Sequence, residues 1–424
     1  MTWRTDRACA AEMDAADPLR TFRGRFWIPT APDGNEAAYL CGHSLGLAPR
    51  SASSLVDEEM ASWQRLAVEG HFSGQRPWLS YHEQLNAGLA MLTGSQPHEV
   101  VAMNALTVNL HLMLVSFYRP TASRFRILIE RAAFPSDRYA VASQIEFHGL
   151  DPREAMLEVG PREGESLIRT EDIATLLASH GDTIATVLLP GVQYLTGQCL
   201  EMQKITQLAR AYGCTVGFDL AHAIGNVPLQ LHHWDVDFAV WCSYKYLNGG
   251  PGAIGGCFVH ERHAQNTALP RFAGWWGHDK QTRFAMPTAF EPLRGAEGWQ
   301  LSNPPILAMA PLLASLALFR EAGAAPLAAK ARQLSSYMMY LLQTRLADHL
   351  EVLTPALAEH RGCQISLRLK LERSQARAAY ESVARQEIVC DWREPDVLRA
   401  AAVPLYNSFD DVWKFVNALS NVLH

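Results

Sequence analysis

The chain has 424 residues, of which 48% are hydrophobic and 19% charged, with a formal net charge of −6 at pH 7. This composition is that of an ordinary folded protein, and the length predicts a large and a smaller domain with a cleft between them. The basic residues are scattered, so a nucleic-acid surface has no support from composition, and a small-molecule substrate fits better.

The N-terminus and the cysteines indicate where the protein acts. The first residues are rich in acidic side chains and lack a continuous apolar stretch, so they predict neither a signal nor a transit peptide. The eight cysteines are dispersed without a CxxC pair, which is typical of reduced, cytosolic thiols. The most apolar run, residues 304–319, is too short to cross a bilayer and contains Pro311 and Ser315. We therefore expect a buried helix there, no membrane span and a cytoplasmic location.

Short apolar runs between residues 125 and 260 predict the strands of a sheet that is covered on both faces. These runs are RILIE (126–130), ATVLLP (185–190), TVGFD (215–219), DFAVW (237–241) and AIGGCFV (253–259). Between the second and third runs, apolar residues recur at helical spacing from Ile205 to Tyr212, and Gly213 follows. This pattern predicts a helix and hence a βαβ crossover.

The last hundred residues predict a smaller α+β domain. A long helical stretch at 324–350 is followed by two strand-like pieces, EVLTP (351–355) and CQISLRL (363–369). We expect an N-terminal segment packed on the small domain, a large domain and a small C-terminal domain. Their predicted bounds are residues 1–50, 51–305 and 306–424.

Asp219 and Lys245 stand where a parallel sheet collects its ligands. Asp219 ends the predicted strand 215–219, and Lys245 follows the next strand. Ligands bind beyond the carboxyl ends of parallel strands, so we expect the two side chains to meet. Pyridoxal 5'-phosphate requires an amine for a Schiff base and a carboxylate facing its ring nitrogen. The alternative is that Asp219 caps a turn and Lys245 is a solvated lysine.

Four further residues are candidates for the same site. Thr107 begins an apolar periodic stretch, so it either caps a helix whose N-terminus binds a phosphate or merely caps it. Phe134 and Asp137 follow the strand 126–130 and are candidates for a stacking face and a polar contact. His222 packs against the cofactor ring or orients the carboxylate of Asp219, unless it is a satisfied core histidine.

The sequence gives little indication of a metal site or a nucleotide site. No HExxH sequence and no Walker loop is present. The adjacent His232 and His233 have no Cys or Glu at ligand spacing. We therefore expect no metal site.

Several strings resemble kynureninase, in the same order, over most of the chain. They are MNALTVNLH, FPSDRYA, GFDLAHAIGN, WCSYKYLNGGPG, AGWWGH, LSNPPIL and VPLYNSFDDVWKF. The resemblance implies an α/β protein of the pyridoxal-phosphate-dependent transferase fold type I, with a mostly parallel seven-stranded sheet in the large domain. It implies a homodimer with active sites at the interface. It also implies hydrolysis of L-kynurenine or 3-hydroxy-L-kynurenine to L-alanine and the corresponding anthranilate.

The resemblance also implies roles for individual residues at the cofactor. Lys245 forms the Schiff base, and Asp219 pairs with the ring nitrogen beside His222. Phe134 stacks on the ring, and Tyr244 lines the cofactor. We nominate Tyr244, near the phosphate, for proton transfer where water adds to the ketone. The remaining members of the cofactor shell are Leu106, Thr107, Asp137 and, from the partner subunit, Trp275 and Asn303.

On the substrate side, the resemblance implies that Arg399 binds the α-carboxylate, with Ser44 and His71 nearby. His71 and Asn303 are expected near the aromatic ring of the substrate, which predicts a preference for 3-hydroxykynurenine. Pro190 departs from the pattern, because family members often have a hydroxyl residue there.

The sequence leaves two kinds of alternative. The first is another enzyme of the same fold, either an aminotransferase or a cysteine desulfurase with Cys363 or Cys390 as its nucleophile. The other alternative is a binding or regulatory protein that keeps the fold without catalysis, against which the Asp219 and Lys245 pair argues.

Overall fold

The structure is a computed structural model that describes residues 3–30, 34–264 and 266–424. The strands of this part are β1 (Phe26–Trp27), β2 (Ala38–Tyr39), β3 (Ala48–Pro49), β4 (Val100–Ala102), β5 (Arg126–Glu130), β6 (Met156–Val159), β7 (Ile184–Pro190), β8 (Thr215–Asp219), β9 (Phe238–Trp241), β10 (Gly256–Val259), β11 (Leu350–Val352), β12 (Gln364–Leu369), β13 (Ile388–Val389), β14 (Asp391–Arg393) and β15 (Val397–Ala401). The α-helices are α1 (Arg7–Ala16), α2 (Ser51–Leu66), α3 (Glu83–Thr93), α4 (Leu106–Phe117), α5 (Pro135–Phe147), α6 (Pro152–Ala155), α7 (Thr170–His180), α8 (Met202–Ala211), α9 (Glu261–Ala264), α10 (Ile306–Ala322), α11 (Ala324–Leu346), α12 (Arg373–Ala384) and α13 (Phe409–Leu423).

The central sheet has seven strands in the order β4-β10-β9-β8-β7-β5-β6. The neighbours from β9 to β6 pair in parallel, and β10 runs antiparallel to both β9 and β4. The predicted mostly parallel, seven-stranded sheet is therefore confirmed. Its parallel strands are buried on both faces, as their continuous apolar sequences indicate.

The predicted strands agree closely with the observed ones. β5 and β8 have the predicted bounds, β7 begins one residue before its predicted start and β9 one residue after. β10 begins at Gly256, three residues after the predicted start at residue 253. A turn in which Gly250 and Gly252 have positive φ precedes the irregular residues 253–255. Helix α8 forms the predicted crossover.

A second, antiparallel sheet has the order β11-β12-β15-β14. Helices α11, α12 and α13 supply side chains to its hydrophobic cluster, and α1 packs on α13. Helix α10 instead contacts α2 and α3, and its buried side chains belong to the cluster around the central sheet. The predicted division at residue 305 stays a prediction.

The apolar run 304–319 forms most of α10, which is largely buried as expected. Within the described residues, no helix by itself has the length and apolar character needed to cross a membrane. Helices α10 and α11 meet those criteria only as a pair, and they are bent by 87° where they join. All eight cysteines are free thiols.

Candidate active site

A buried cavity lies beyond the carboxyl ends of β5, β7 and β8, with a volume of about 80 Å³. We call it the lysine cavity. Its lining residues are Leu106, Thr107, Glu130, Phe134, Ser136, Asp137, Pro190, Val192, Tyr194, Asp219, Ala221, His222, Cys242, Tyr244 and Lys245. Eight of them were predicted cofactor residues. Four other clefts among the described residues are larger, with volumes of about 960, 660, 530 and 90 Å³, and they contain none of the predicted site residues.

Strand pairing brings Asp219 and Lys245 together. In the register of the sheet, Asp219 lies beside Pro190 of β7 and Val240 of β9. The chain leaves β9 at Trp241 and reaches Lys245 in the loop that follows. Both side chains consequently project from the same edge of the sheet, as the strand-end rule predicts.

The Lys245 loop is held from outside by a glycine. The backbone N–H of Gly46 donates to the carbonyl of Tyr244 at 2.8 Å. A Cβ atom at Gly46 would lie 2.3 Å from the carbonyl oxygen of Lys245, so only glycine allows this approach. The segment that carries Ser44 is thereby fixed against the backbone of Lys245.

The amine of Lys245 contacts a neutral histidine. Its Nζ atom lies 3.0 Å from Nε2 of His222. Burial, together with the charge of Lys245, holds the pKa of His222 well below its usual value. Asp219 accepts from the N–H of Ala221 at 2.7 Å. The expectation that His222 packs against the cofactor ring or orients this carboxylate stays a prediction.

Three buried carboxyl groups border the same cavity. Burial raises the pKa of Glu130 to about 7. Burial and the nearby charge of Asp219 raise the pKa of Asp137 well above its usual value. The pKa of Asp219 is also raised by burial, but Asp137, Lys245 and the N–H of Ala221 favour its ionised form. Asp137 is therefore the partner that holds a proton, and Asp219 is the one that carries the negative charge.

Helix N-termini border the cavity on another side. The N-cap of α4 is Ala105, and Thr107 lies in the first turn, so the predicted capping role of Thr107 is wrong. Its hydroxyl pairs with that of Ser136, in the first turn of α5, at 2.7 Å. Two helix N-termini and two hydroxyls beside one cavity suit an anionic group.

Two buried polar atoms of the cavity have no hydrogen-bond partner within the described part of the chain. They are Oδ1 of Asp137 and Nδ1 of His222. Buried polar atoms are rarely left unpaired, so their presence indicates a bound group with polar atoms of its own. The exposed face of Phe134 and the two helix N-termini indicate that this group combines a flat ring with an anion.

Arg399 and Ser44 lie next to the lysine cavity but do not line it. Arg399 is fully buried, and its Nη1 donates to the carbonyl of Tyr194, a cavity residue, at 2.6 Å. Its Nε and Nη2 donate to the two carboxylate oxygens of Asp391 at 3.1 and 2.8 Å. Ser44 donates to Asp391 at 2.7 Å.

The structure does not bring His71, Trp275 and Asn303 into the lysine cavity of their own chain. The ring of His71 packs edge-on against Trp78 at 5.3 Å. Trp275 is 46% exposed and donates to the carbonyl of Arg283 at 3.2 Å. Asn303 is exposed.

Trp275 belongs to an exposed group of aromatic side chains, which we call the aromatic patch and which consists of Phe72, Trp275 and Phe284. The ring of Phe284 lies 6.2 Å from that of Phe72 and 5.4 Å from that of Trp275. Such a patch is unusual on a surface that faces only water.

Sequence reasoning missed four polar or aromatic cavity residues, which are Glu130, Ser136, Tyr194 and Cys242. Glu130 ends a correctly predicted strand, so the strand-end rule that found Asp219 could have found it. Ser136 lies within FPSDRYA, between two predicted residues. Tyr194 lies in a loop without a pattern, and nothing in the sequence marks it.

Two short stretches of the sequence match motifs of other enzyme classes. Residues 42–46 (GHSLG) match GxSxG and residues 250–255 (GPGAIG) match GxGxxG. Neither has the strand-turn-helix context that these motifs require: residues 42–46 form turns, and β10 follows residues 250–255. Ser44 donates to a carboxylate rather than to a histidine, so it is no activated nucleophile.

The fold also creates contacts that the spacing of residues could not reveal. Nδ1 of His232 lies 3.0 Å from the buried carboxylate of Glu99, and the ring of His260 stacks on His232. Glu99 already accepts from two backbone N–H groups, and His260 accepts from that of Arg262. These groups therefore satisfy one another.

The cysteines proposed as nucleophiles do not have the surroundings of reactive thiols. Cys363 and Cys390 are both buried. Burial raises the pKa of Cys363 to about 12 and raises that of Cys390 as well. Neither thiol is a ready nucleophile at neutral pH.

Comparisons with known proteins agree on one family. Residues 327–419 match the family described as the kynureninase C-terminal domain. The chain is 55% identical over 407 residues to a kynureninase of Koribacter versatilis, covering 96% of this chain and 95% of that one. It is 56% identical over 416 residues to a kynureninase of Xanthomonas euvesicatoria, covering 98% of each.

Solved structures resemble the fold at low sequence identity. A C-DES variant with glycine covalently linked to its PLP cofactor superposes with a TM-score of 0.74, at 20% identity, covering 94% of this chain and 99% of that one. The cysteine desulfurase CsdA of Escherichia coli also superposes with a TM-score of 0.74, at 16% identity, covering 96% of this chain and 98% of that one. These likenesses confirm the predicted fold type.

Proposed function

Because the chain belongs to the kynureninase family, we propose that it hydrolyses L-kynurenine and 3-hydroxy-L-kynurenine to L-alanine and the corresponding anthranilate. The bond that breaks joins the β and γ carbons, and one water molecule is consumed. The family is one of pyridoxal-phosphate-dependent hydrolases. The observation that carries the proposal is that Asp219 and Lys245, from the ends of neighbouring parallel strands, line one buried cavity.

The residues of the lysine cavity fit pyridoxal 5'-phosphate. Lys245 offers the amine for its aldehyde, and Asp219 offers a negative charge for its ring nitrogen. The unpaired Oδ1 of Asp137 and Nδ1 of His222 are polar partners for its ring substituents. Thr107 and the helix N-termini suit its phosphate. Once bound, the cofactor supplies an electron-withdrawing ring that makes bonds at the α and β carbons of an amino acid easier to break.

Lys245 is the group that we propose to move the α-proton. A lysine acts as a base only when its amine is neutral. The neighbouring His222 is itself neutral, so it can accept a hydrogen bond from the amine without adding a positive charge. In this proposal Lys245 accepts the proton that leaves the α carbon.

Tyr244 is the group that we propose to handle the proton at the ketone, where water adds. Burial raises the pKa of its phenol, so Tyr244 holds its proton at neutral pH. A protonated phenol can donate to the carbonyl oxygen of the substrate as water attacks. Arg399 binds the α-carboxylate through its guanidinium in this proposal.

One assay tests the activity. Purified protein is incubated with each substrate, and the product is followed by anthranilate fluorescence, with Lys245→Ala as the negative control. Formation of alanine and an anthranilate in equal amounts supports the proposal. Absence of both products from protein that carries its cofactor would contradict it.

We further propose that the 3-hydroxy substrate is preferred. A polar group that pairs with the ring hydroxyl penalises a substrate without it, and His71 and Asn303 are the candidates. The ratio of kcat/KM for the two substrates measures the preference, and Asn303→Ala is expected to narrow it. A clear advantage for plain kynurenine in the unaltered enzyme would refute this assignment.

We propose that the active unit is a homodimer in which Trp275 and Asn303 complete the site of the partner. Neither residue lines the cavity of its own chain, and the exposed aromatic patch around Trp275 offers an apolar surface for a second copy. Mixing inactive Lys245→Ala chains with Asn303→Ala chains, whose substrate preference is narrowed, tests this. Random reassociation would give about one quarter of the sites both an intact Lys245 and an intact Asn303, and those sites would regain the full preference. A mixture whose preference stays that of the Asn303→Ala chains would contradict a shared site.

A further inference from the structure

Asp391 is the centre of a group of hydrogen-bonded charges that we call the arginine cluster, which consists of Ser44, Asp391, Arg393 and Arg399. The antiparallel pairing of β14 and β15 places Asp391 directly opposite Arg399. Arg393 lies two residues further along the same strand and therefore on the same face. The hairpin thus brings one carboxylate between two guanidinium groups.

Both arginines bind Asp391 through two nitrogen atoms. Nε and Nη2 of Arg399 lie 3.1 and 2.8 Å from its oxygens, and the corresponding atoms of Arg393 lie at 3.1 Å each. Paired hydrogen bonds of this kind fix the plane of a guanidinium as well as its position. The plane of Arg399 is therefore set by Asp391.

The remaining edge of Arg399 is directed by the same contacts. Its Nη1 donates one hydrogen to the carbonyl of Tyr194, which leaves the second hydrogen of Nη1 for a ligand. Nη2 donates to Asp391 and, at the longer distance of 3.4 Å, to the hydroxyl oxygen of Ser44, which itself donates to Asp391. A carboxylate can consequently bind Arg399 only at the edge away from Asp391.

The arginine cluster also carries a defined charge. Two arginines share one aspartate, which leaves one positive charge unneutralised. His43 is fully buried, and its Nε2 lies 3.8 Å from Asp391. Burial and the charge of Arg399 lower the pKa of His43 well below its usual value, so it adds no charge. One net positive charge matches a single carboxylate.

We propose that Asp391 is a positioning residue for substrate binding, which orients Arg399 toward the substrate carboxylate while Arg393 supplies the net positive charge of the subsite. This inference rests on the proposed role of Arg399. Asp391 holds no reacting atom and acts through Arg399 alone.

The first test is Asp391→Asn, in which the shape is kept and the charge is lost. Removing a negative charge would by itself strengthen the binding of an anion, whereas loss of the orientation of Arg399 would weaken it. The charge effect and the positioning effect therefore change KM in opposite directions. If Asp391 positions Arg399, KM for kynurenine rises by about tenfold or more while kcat changes by less than about threefold. Unchanged or tighter binding would overturn the proposal.

The product L-alanine and its amide differ only in the carboxylate, so comparing their binding measures the contribution of that group. The binding of L-alanine and of L-alaninamide to the holoenzyme is followed by the absorbance of the cofactor. Asp391→Asn is expected to weaken the binding of L-alanine by about tenfold and to leave the binding of L-alaninamide nearly unchanged. Equal losses for both ligands would mean a general structural defect and would also overturn the proposal. Asp396→Asn, which removes a partly buried partner of Arg368 near the same hairpin, is the matched control.

A second variant tests the charge and covers the case in which Asp391→Asn does not fold. Arg393→Gln leaves the contact between Asp391 and Arg399 intact and lowers the net charge to zero. KM is expected to rise by about threefold to tenfold, and less so at high salt because Arg393 is 40% exposed. An unchanged KM would refute the role of Arg393. Arg399→Gln distinguishes the two levels of the argument. If this variant binds L-alanine as well as the unaltered enzyme does, the proposed role of Arg399 itself fails, and the inference on Asp391 fails with it.

Discussion

The lysine cavity and the arginine cluster are neighbouring groups of buried charge that are satisfied in opposite ways. In the cavity, three carboxyl groups face one amine, and two polar atoms have no partner within the described residues. In the cluster, Asp391 accepts from two arginines and a serine. Burial raises the pKa of Glu130 and Asp137, whereas, against the effect of burial, hydrogen bonds from Arg399 hold the pKa of Asp391 below its usual value.

This difference separates a site that a ligand must complete from one that the fold completes alone. A cofactor that stays bound can provide the missing partners of the cavity permanently. A substrate that enters and leaves must find its binding group already oriented, because ordering that group during each turnover would weaken binding. The comparison predicts that changes in the cavity affect the chemical step, and changes in the cluster affect binding.

The largest expected effect is that of Lys245→Ala, which removes the only amine of the cavity. We expect kcat to fall by about 10⁴-fold or more, because proton transfer and attachment of the cofactor both depend on it. Anthranilate fluorescence measures the rate, and absorbance measures the attached cofactor. Lys204→Ala, which alters a half-exposed lysine of α8, is the control and should retain full activity.

The two aspartates of the cavity should differ although they are neighbours. Asp219→Asn removes the negative charge and is expected to lower kcat by about 10³-fold, whereas Asp137→Asn replaces a protonated acid by a similar neutral group and should cost less than about tenfold. Steady-state kinetics on both variants decide the matter. Equal losses would show that Asp137 is ionised and that the assignment of the proton is wrong.

Asp219 and Lys245 could be found from the sequence because both follow directly from strand ends. The rule needs only the order of the strands, which short apolar runs reveal. The arginine cluster could not be assembled in this way. Asp391 and Arg399 meet through the register of a hairpin, and Ser44 reaches them from more than three hundred residues away. Only the resemblance pointed to Arg399 and Ser44, and nothing pointed to Asp391.

Buried contacts that depend on three dimensions were missed for the same reason. The contact between His222 and Lys245 is one example, because the two loops after β8 and β9 face each other only in the folded chain. Thr107 was expected at the N-cap, but the N-cap of α4 is Ala105, two residues earlier. A shift of two residues at a helix end is beyond what propensity can specify.

The dependence of stability on pH should have opposite signs in the two regions. Glu130 has its pKa raised by burial from 4.5 to about 7, so the folded state retains a proton that the unfolded state has lost within that window. Its contribution is present below pH 4.5 and is lost as the pH rises through 7, by roughly 3 kcal/mol. Glu130→Gln should therefore flatten the fall in stability of the cofactor-free protein between pH 5 and pH 7.5.

Asp391 is the matched case for this measurement. Its pKa is lowered, so its contribution is present above the usual carboxyl range and is lost as the pH falls through the lowered value. Urea unfolding of Asp391→Asn should accordingly differ in its pH dependence from the unaltered protein only in acid. A fall near neutrality in both variants would mean that other groups control the pH dependence.

The smallest expected effect concerns Pro190, which lines the cavity beside Asp219 but has neither an N–H nor a side-chain donor. If the cavity lacks partners for its cofactor, Pro190→Thr should tighten cofactor binding by about threefold, as one added hydrogen bond would. Equilibrium titration of the cofactor-free protein measures the change. Unchanged affinity would mean that the cavity needs the cofactor ring but no further hydrogen-bond donor, so that its unpaired polar atoms are those of the carboxyl groups and His222 alone. The lysine cavity and the arginine cluster would then differ in which atoms lack a partner, and not in the number of hydrogen bonds that the fold provides.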